Sequence, residues 1–224
     1  MRIDYYHIRP QIDELLSSYT ELKKATNDTN REILLSGNIS INRIYDNFLV
    51  DRDYEIRIRI SLHDDDLPEV WDVGNHIDKS YIHRYPDGKL CLETDAYTAL
   101  CFYKGYSLLE WMKNIVEPYY YSYEYYTRFG KFPYGERSHD LDGVVEAYQE
   151  IFNEQDIVKI FRLLQSISQR KYKGHLMCPC GSGIITRKCH GSYIFPFIHD
   201  EQLYRITQRD YMNICEEIKK YDKQ

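Results

Sequence analysis

Apolar and polar residues alternate through YEIRIRISL at 54–62, where Ile56, Ile58 and Ile60 share one side. A repeat of two residues is typical of a β-strand with one face in the core and one face in water. The neighbouring stretches ILLSGNISI and LPEVWDVG are predicted to form flanking strands. The pattern between residues 33 and 74 therefore predicts an antiparallel meander of three or four strands.

Apolar residues at helical spacing lie on both sides of this meander. Before it, one apolar face predicts an amphipathic helix from Pro10 to Lys24. After it, Ser107 and Glu110 form a capping-box pattern that predicts a helix start, and Pro118 is expected to end or kink that helix. Further helices are predicted over 118–128, 144–152 and 157–167, and from about residue 200 onward.

An N-terminal helix, a meander and several later helices predict the α+β fold class. A chain of 224 residues can hold either one large domain or one domain of about 150 residues and a small appendage, and we expect the second arrangement. We predict a domain over residues 1–152. The second part, residues 153–224, is predicted to contain helices, a cysteine-rich element and a C-terminal helix.

Composition and charge narrow the classes of function. No apolar run approaches the roughly 18 residues of a membrane span, so we expect no membrane partner. The N-terminus has no apolar core of the signal-peptide type, which favours the cytoplasm. The net charge of −6 argues against nucleic-acid binding by the whole chain, but seven basic and no acidic residues lie between Lys159 and Gly191. This basic segment favours an anionic partner for the tail.

Tyrosine is unusually frequent, with 23 residues in the chain and a cluster in PYYYSYEYYTRF at 118–129. A tyrosine buries an apolar ring and keeps a hydroxyl in contact with polar groups. The cluster is therefore typical either of an interface or of a helix that lies half in the core.

Four metal-ligating side chains lie close together in the last quarter. Cys178, Cys180, Cys189 and His190 form the pattern C-x-C-x8-C-H, with a Gly-Ser-Gly turn between the two halves. Zinc prefers four sulfur or nitrogen ligands in a tetrahedron, and a tight turn lets two close pairs meet on one ion. Because four protein ligands leave no open position, we predict a structural Zn²⁺. The alternative is a set of reduced cysteines without a metal.

The segment CPCGSGIITRKCHG closely resembles the SEC-C motif, a small zinc element best known from the C-terminus of the bacterial SecA translocation motor. In that family three cysteines and a terminal cysteine or histidine bind zinc, which implies the same four ligands here. The family element mediates contacts with proteins or the ribosome. The resemblance therefore implies such partners for the tail, although the motif is attached to many unrelated proteins.

The periodicity fails between Gly74 and Tyr103, which we predict to be mostly an ordered loop. A long irregular segment within a compact domain is more often functional than not. It contains HRYPDGKLCL at 83–92, where a turn sequence leads directly to Cys91. Cys91 is the candidate nucleophile, and Cys101, among apolar neighbours in TALCFY, is its competitor.

The order of helix, meander, cysteine-containing loop and later helices resembles the fold of ubiquitin-conjugating (E2) enzymes. Their catalytic cysteine follows a His-Pro-Asn triplet and a downstream glycine, and residues 85–92 are similar to that pattern. His83 stands for the family histidine, but it lies eight residues before Cys91, about two closer than in the family, and no asparagine follows it. That asparagine is the proposed oxyanion stabiliser, and losing one such donor costs about 2.7–4 kcal/mol.

Bacterial E2-like proteins from ubiquitin-like and antiphage-defence operons also depart at this triplet. They carry a tryptophan-containing helix and a glycine-rich loop that ends in histidine, and Trp111 and GERSH at 135–139 look similar. The resemblance implies Cys91 as the thioester nucleophile, with Asp87 and His83 shaping its loop and His139 as a base or positioning group. It also implies two partners, a ubiquitin-like protein and an E1-like activating enzyme.

Two functions remain open at this point. One is a carrier of a ubiquitin-like protein with a thioester on Cys91. The other is a non-catalytic E2-like adaptor that binds protein, ribosome or nucleic acid through its zinc-containing basic tail. A buried Cys91 favours the adaptor, because cysteine is among the residues most often buried for packing alone. Metal-dependent hydrolysis is a weak third reading, since the predicted metal site is closed.

Overall fold

The computed structural model describes residues 5–25, 32–62 and 66–221. Over these ranges the chain is α+β, with a four-stranded antiparallel sheet and several helices, which confirms the predicted fold class. It divides into two compact units. We call Arg2–Glu93 with Gly105–Glu136 the sheet unit, and Thr94–Lys104 with Arg137–Gln224 the helical unit. The predicted division into residues 1–152 and 153–224 stays a prediction.

The sheet unit begins with helix α1 (Tyr5–Ser18) and continues with strands β1 (Lys23–Lys24), β2 (Glu32–Tyr45), β3 (Phe48–Ser61) and β4 (Glu69–Asp72). The sheet has the order β1-β2-β3-β4, so each strand pairs with its neighbour in the chain. The first helix ends at Ser18, so its predicted end at Lys24 was wrong. Lys23 and Lys24 pair with Ser36 and Leu35 of β2 instead.

A long hairpin of β2 and β3 forms the centre of the sheet, and the two strands pair over all 14 residues of each. Its two-residue turn consists of Asp46 and Asn47, with φ angles of 49° and 60°. Such left-handed turns match the twist of a hairpin, and Asp and Asn tolerate them. The predicted alternation on β3 is confirmed, because Ile56, Ile58 and Ile60 are fully buried.

Three helical segments follow one another after Gly105, namely α3 (Leu108–Trp111), a turn of π-helix (Met112–Val116) and α4 (Glu117–Phe129). The predicted capping box is present, since the Ser107 hydroxyl accepts from the Glu110 N–H and the Glu110 carboxylate accepts from the Ser107 N–H. Pro118 does not end the helical path. It lies in the first turn of α4, directly after the wide π turn, where its missing N–H is tolerated.

The tyrosine cluster lies mostly in the core. Its buried members are Tyr119, Tyr120, Tyr121, Tyr123 and Tyr125 of α4. The ring of Tyr120 packs on that of Tyr54 in β3, with 4.2 Å between their centroids. The Tyr121 hydroxyl lies 2.9 Å from the Tyr45 carbonyl oxygen and 3.0 Å from that of Phe48. The rings therefore fill the core, while the Tyr121 hydroxyl reaches backbone carbonyls at the hairpin end.

The helical unit contains α2 (Asp95–Tyr103), α5 (Asp140–Phe152), α6 (Ile157–Ser168), α7 (Gly191–His199) and α8 (Glu201–Tyr221). The loop prediction for 74–103 was wrong over α2, and α7 was not predicted. Large buried side chains such as Tyr148, Phe152 and Phe197 form the core of this unit. None of the helices that the structure describes combines the length and the apolar content needed to cross a membrane.

Candidate metal centre and cysteine loop

The cysteine-rich element of the helical unit is a short hairpin-like turn followed by one turn of 3-10 helix at Thr186–Lys188. The Cys178 N–H donates to the Ile184 carbonyl over 2.8 Å, and the Gly181 N–H donates to the Cys178 carbonyl over 3.0 Å. Gly181 has a φ angle of 86°, a left-handed conformation that a glycine adopts without strain. This turn brings the first cysteine pair back towards Cys189, as the Gly-Ser-Gly spacing predicted.

The four predicted ligand side chains meet in one cluster, with their ligand atoms all within 4.8 Å of one another. The His190 Nδ1 atom lies 3.2 Å from the Cys189 sulfur and 3.5 Å from the Cys178 sulfur, and the Cys180 and Cys189 sulfurs are 3.6 Å apart. Ligands on a zinc tetrahedron are about 3.5–3.8 Å apart, given the bond lengths to sulfur and nitrogen. Three thiols and one imidazole thus form a donor set that fits a metal ion.

Burial gives these groups different proton affinities. It raises the pKa of the Cys178 thiol to about 12. Burial alone would also raise the pKa of Cys180, but hydrogen bonds from the side chain and backbone of Ser182 lower it. The pKa of His190 is lowered by burial, so its ring is neutral at neutral pH, which is the form that binds metals. A metal ion would compete with protons for the thiols.

The Cys91 loop, residues 83–92, lies in the sheet unit and begins with a tight turn. The Gly88 N–H donates to the Tyr85 carbonyl over 2.9 Å, and Gly88 has a φ angle of 87°. The Asp87 carboxylate accepts from the Lys89 N–H over 3.0 Å and lies 3.4 Å from the Trp71 indole nitrogen. The backbone hydrogen bond from Lys89 lowers the pKa of Asp87. Asp87 therefore holds the turn as an anion.

The loop returns against β4 and then reaches the cysteine. The Leu90 N–H donates to the Val70 carbonyl over 2.9 Å, and the Cys91 N–H donates to the His83 carbonyl over 2.8 Å. Cys91 is a half-buried residue and belongs neither to the fully buried core nor to the exposed surface. Its competitor Cys101 is also half-buried and lies on α2 in the helical unit.

His83 lies among aromatic side chains in the sheet unit. Its Nε2 atom is 3.6 Å from the Glu136 carboxylate, and its ring makes edge contacts with Tyr81 and Phe132 at centroid distances of 5.5 and 5.4 Å. The Tyr119 hydroxyl donates to the His83 carbonyl over 2.9 Å. The predicted site residue His139 belongs to the helical unit, where it immediately precedes α5, so its role stays a prediction.

Two tyrosines beside Cys91 were missed by sequence reasoning. Burial raises the pKa of Tyr119 and of Tyr81 far above the ordinary value, and the neighbouring tyrosines and Cys91 raise both further. Both phenols therefore stay protonated at neutral pH, and the Tyr119 hydroxyl is the one that donates to the His83 carbonyl. The excess of tyrosine in the sequence was the available signal, but it did not identify which hydroxyls face the loop.

A buried ion pair beneath the loop was also missed. The Arg84 Nε atom lies 3.8 Å from the Asp72 carboxylate, and these side chains are only 4% and 0% exposed. Asp72 also accepts from the N–H groups of His76 and Ile77, over 3.1 and 2.9 Å. The pair therefore ties the start of the loop to the end of β4.

The fold and the two sites together define an α+β protein with a Cys3His group able to bind a metal ion and a half-buried cysteine on an ordered loop. No family model matches the chain, and neither a curated protein nor a solved structure matches it.

Proposed function

We propose that the chain is an E2-like carrier that holds the C-terminal carboxyl of a ubiquitin-like protein as a thioester on Cys91, in a bacterial conjugation or antiphage-defence pathway. The observation that carries this proposal is the half-buried Cys91 at the end of an ordered loop next to an antiparallel meander. A carrier cysteine needs access and an available thiolate more than an elaborate set of bases.

The chemistry consists of two acyl transfers. The Cys91 thiolate attacks the thioester carbonyl that an E1-like activating enzyme presents, and a new carbon–sulfur bond forms as the E1 cysteine leaves as a thiolate. A target amine then attacks the Cys91 thioester, an amide forms, the carbon–sulfur bond breaks to release the Cys91 thiolate, and the proton lost by the amine passes to solvent. His83 and Asp87 support these steps by fixing the backbone on both sides of the turn.

The metal centre has a supporting part in this proposal. Zn²⁺ is the ion that three thiolates and one imidazole favour, and four protein ligands make the site structural. Cys178, Cys180, Cys189 and His190 would hold it. The bound ion would contribute to folding of the element and take no part in the acyl transfer.

The carrier proposal is tested with the purified protein, candidate pairs of a ubiquitin-like protein and an E1-like activating enzyme, and ATP. We expect an adduct that thiol reductants cleave, and Cys91→Ser should abolish this reducible adduct. Cys101→Ser is the matched control and should leave it intact. If no adduct forms with any such partner pair, or if Cys101→Ser abolishes it instead, the carrier function is wrong.

A second candidate function is a non-catalytic adaptor whose zinc element binds protein, ribosome or RNA. The observation in its favour is a set of exposed apolar side chains, Leu176, Met177 and Ile184, within a segment, 157–199, that has seven basic and no acidic residues. RNA or ribosome binding that weakens steeply with salt and survives Cys91→Ala would favour this function. Binding lost in a Lys171→Glu, Lys188→Glu variant would place it on the element.

A further inference from the structure

A carboxylate lies directly behind the histidine of the metal centre. Glu154 follows the end of α5, where Asn153 adopts a left-handed φ angle of 51° and the Glu154 N–H donates to the Gln149 carbonyl over 3.1 Å. The Glu154 carboxylate lies 3.8 Å from the Nε2 atom of His190. Their side chains are 15% and 10% exposed, so water screens this contact only weakly.

Two further contacts fix the carboxylate in place. It accepts from the Asp156 N–H over 3.1 Å and from the Lys159 ammonium over 3.1 Å. Asp156 itself caps α6, so the connection between α5 and α6 is held by a network of short contacts. The position of Glu154 is therefore set by the corner between the two helices and does not depend on His190.

The two nitrogens of His190 face different groups. Nδ1 faces the sulfurs of Cys178 and Cys189, at 3.5 and 3.2 Å, while Nε2 faces Glu154. A neutral imidazole binds a metal through the nitrogen that carries no proton, and the group near the other nitrogen decides which tautomer is present. A negative charge beside Nε2 favours the tautomer with its proton on Nε2 and a free lone pair on Nδ1.

We propose that Glu154 is the positioning residue of the metal centre, which holds the proton of His190 on Nε2 and so prepares Nδ1 as the fourth ligand. This inference rests on the proposed metal site but not on the carrier function. At 3.8 Å the contact is electrostatic, since a hydrogen bond to a ring nitrogen is shorter. The Lys159 ammonium also contacts the Glu154 carboxylate, and its positive charge weakens the electrostatic effect of Glu154 on His190.

The test compares zinc affinity of variants by competition with a chromophoric chelator, using full-length protein. Glu154→Gln keeps the shape and an acceptor for the Asp156 N–H but removes the charge, and we expect zinc affinity to fall about 10- to 100-fold. Glu150→Gln is the matched control, because Glu150 lies near the same C-terminal end of α5 as Glu154 but pairs with Arg137, and its side chain is 56% exposed. It should bind zinc as the wild type does.

A second variant separates the charge of Glu154 from its role in the helix corner. Lys159→Gln removes the cation that shares the carboxylate, so zinc affinity should stay equal or rise if the charge matters. If the corner alone matters, Lys159→Gln should weaken binding as much as Glu154→Gln does. That result would overturn the proposal, and so would wild-type affinity in Glu154→Gln.

The tautomer gives a readout that is independent of affinity. Nitrogen NMR of the zinc-loaded wild type should show His190 protonated on Nε2, and Glu154→Gln should exchange that proton faster with water. An unchanged spectrum in the variant contradicts the proposal. A wild-type chain that takes up no zinc would overturn the metal site itself, whereas zinc uptake with no Glu154 effect overturns only the role of Glu154.

Discussion

The hydroxyl of Tyr119 donates to the main-chain carbonyl of His83 over 2.9 Å, and the same oxygen accepts the Cys91 N–H over 2.8 Å. One carbonyl therefore joins helix α4, the start of the Cys91 loop and the cysteine itself. Tyr119 is 7% exposed, so this hydroxyl is held inside the sheet unit.

Tyr119→Phe should loosen the loop without removing a ring from the core. Loss of one buried hydrogen bond costs about 1 kcal/mol, which corresponds to about a fivefold loss of hydrogen-exchange protection at the Cys91 amide. Mass-spectrometric hydrogen exchange measures it. Tyr121→Phe is the control, because its hydroxyl contacts the hairpin end instead and should leave the Cys91 amide protected. Equal protection in Tyr119→Phe and wild type would contradict the anchoring role.

The buried pair of Arg84 and Asp72 should be much more sensitive than exposed pairs. Arg84→Met leaves the Asp72 carboxylate buried without its cation, which typically costs about 3–5 kcal/mol. Urea unfolding followed by tyrosine and tryptophan fluorescence measures the free energy of unfolding. Arg52→Met removes the pair with Glu124 in the same unit, and because the Arg52 side chain is 58% exposed it should cost less than about 1 kcal/mol. A similar effect for both variants would show that burial does not govern these pairs.

Removal of the metal should unfold the cysteine-rich element. Cys189→Ser deletes one of four ligands, so the variant should hold less than one zinc per chain after dialysis and melt at a lower temperature. Metal analysis and thermal denaturation measure the two effects. Cys215→Ser on α8 is the control, because Cys215 lies outside the ligand cluster and should change neither value. Full zinc content in Cys189→Ser would rule out the proposed ligand set.

Gly37 of β2 should tolerate no side chain. Its φ angle is 147°, and a Cβ atom there would overlap the carbonyl oxygen of Glu21. Gly37→Ala is therefore expected to destabilise the sheet unit by about 2 kcal/mol or more, from strain and from the shift of the Glu21 backbone. Gly105→Ala is the control, with a φ angle of 108° and no atom within 4 Å of the new methyl group. Urea unfolding should show the larger loss for Gly37→Ala, and the reverse order would contradict the predicted overlap.

The buried carboxyl of Asp210 should make the stability of the helical unit depend on pH. It accepts from the Tyr148 hydroxyl over 3.0 Å, and burial raises its pKa although Arg209 and Tyr148 lower it. Because the folded state binds the proton more tightly, the contribution of Asp210 to stability is full below the unfolded pKa near 3.9 and is lost as the pH rises through the folded pKa.

Asp210→Asn removes this titration and keeps a group of the same shape. The stability of Asp210→Asn relative to wild type should therefore increase as the pH is raised from about 3 to 7. Unfolding by urea at several pH values measures the difference. Asp142→Asn, at an exposed position of α5, is the control and should give a difference that changes little with pH. If the difference in unfolding free energy between Asp210→Asn and wild type did not change with pH, the direction of the Asp210 pKa shift would be contradicted.

Local patterns in the sequence were sufficient for several elements. The alternation at Ile56, Ile58 and Ile60 predicted β3, and the Ser107 and Glu110 pair predicted the start of α3. Helix α2 was not predicted because it has almost no polar face. Five of its nine residues are buried, so its polar and apolar positions do not show the helical period. Strand β1 has only two residues, too few for any alternation to show.

The site residues also differ in whether a local sequence pattern could predict them. The metal cluster was predictable because all four ligands lie within residues 178–190, so a turn is enough to bring them together. Tyr119 lies 36 residues from His83, and their contact depends on how α4 packs in the sheet unit. Glu154 is likewise remote from His190 in the sequence. Contacts of this kind are set by tertiary packing and leave no local pattern.

The return of the Cys91 loop along β4 also protects an edge of the sheet. The Asp72 N–H donates to the Gly88 carbonyl over 3.0 Å and the Leu90 N–H donates to the Val70 carbonyl over 2.9 Å, so the loop occupies backbone groups that an outer strand leaves open. The opposite edge is β1, whose exposed Lys23 and Lys24 repel another strand. Opening the loop would therefore uncover the backbone groups of β4 as a template on which another strand could pair.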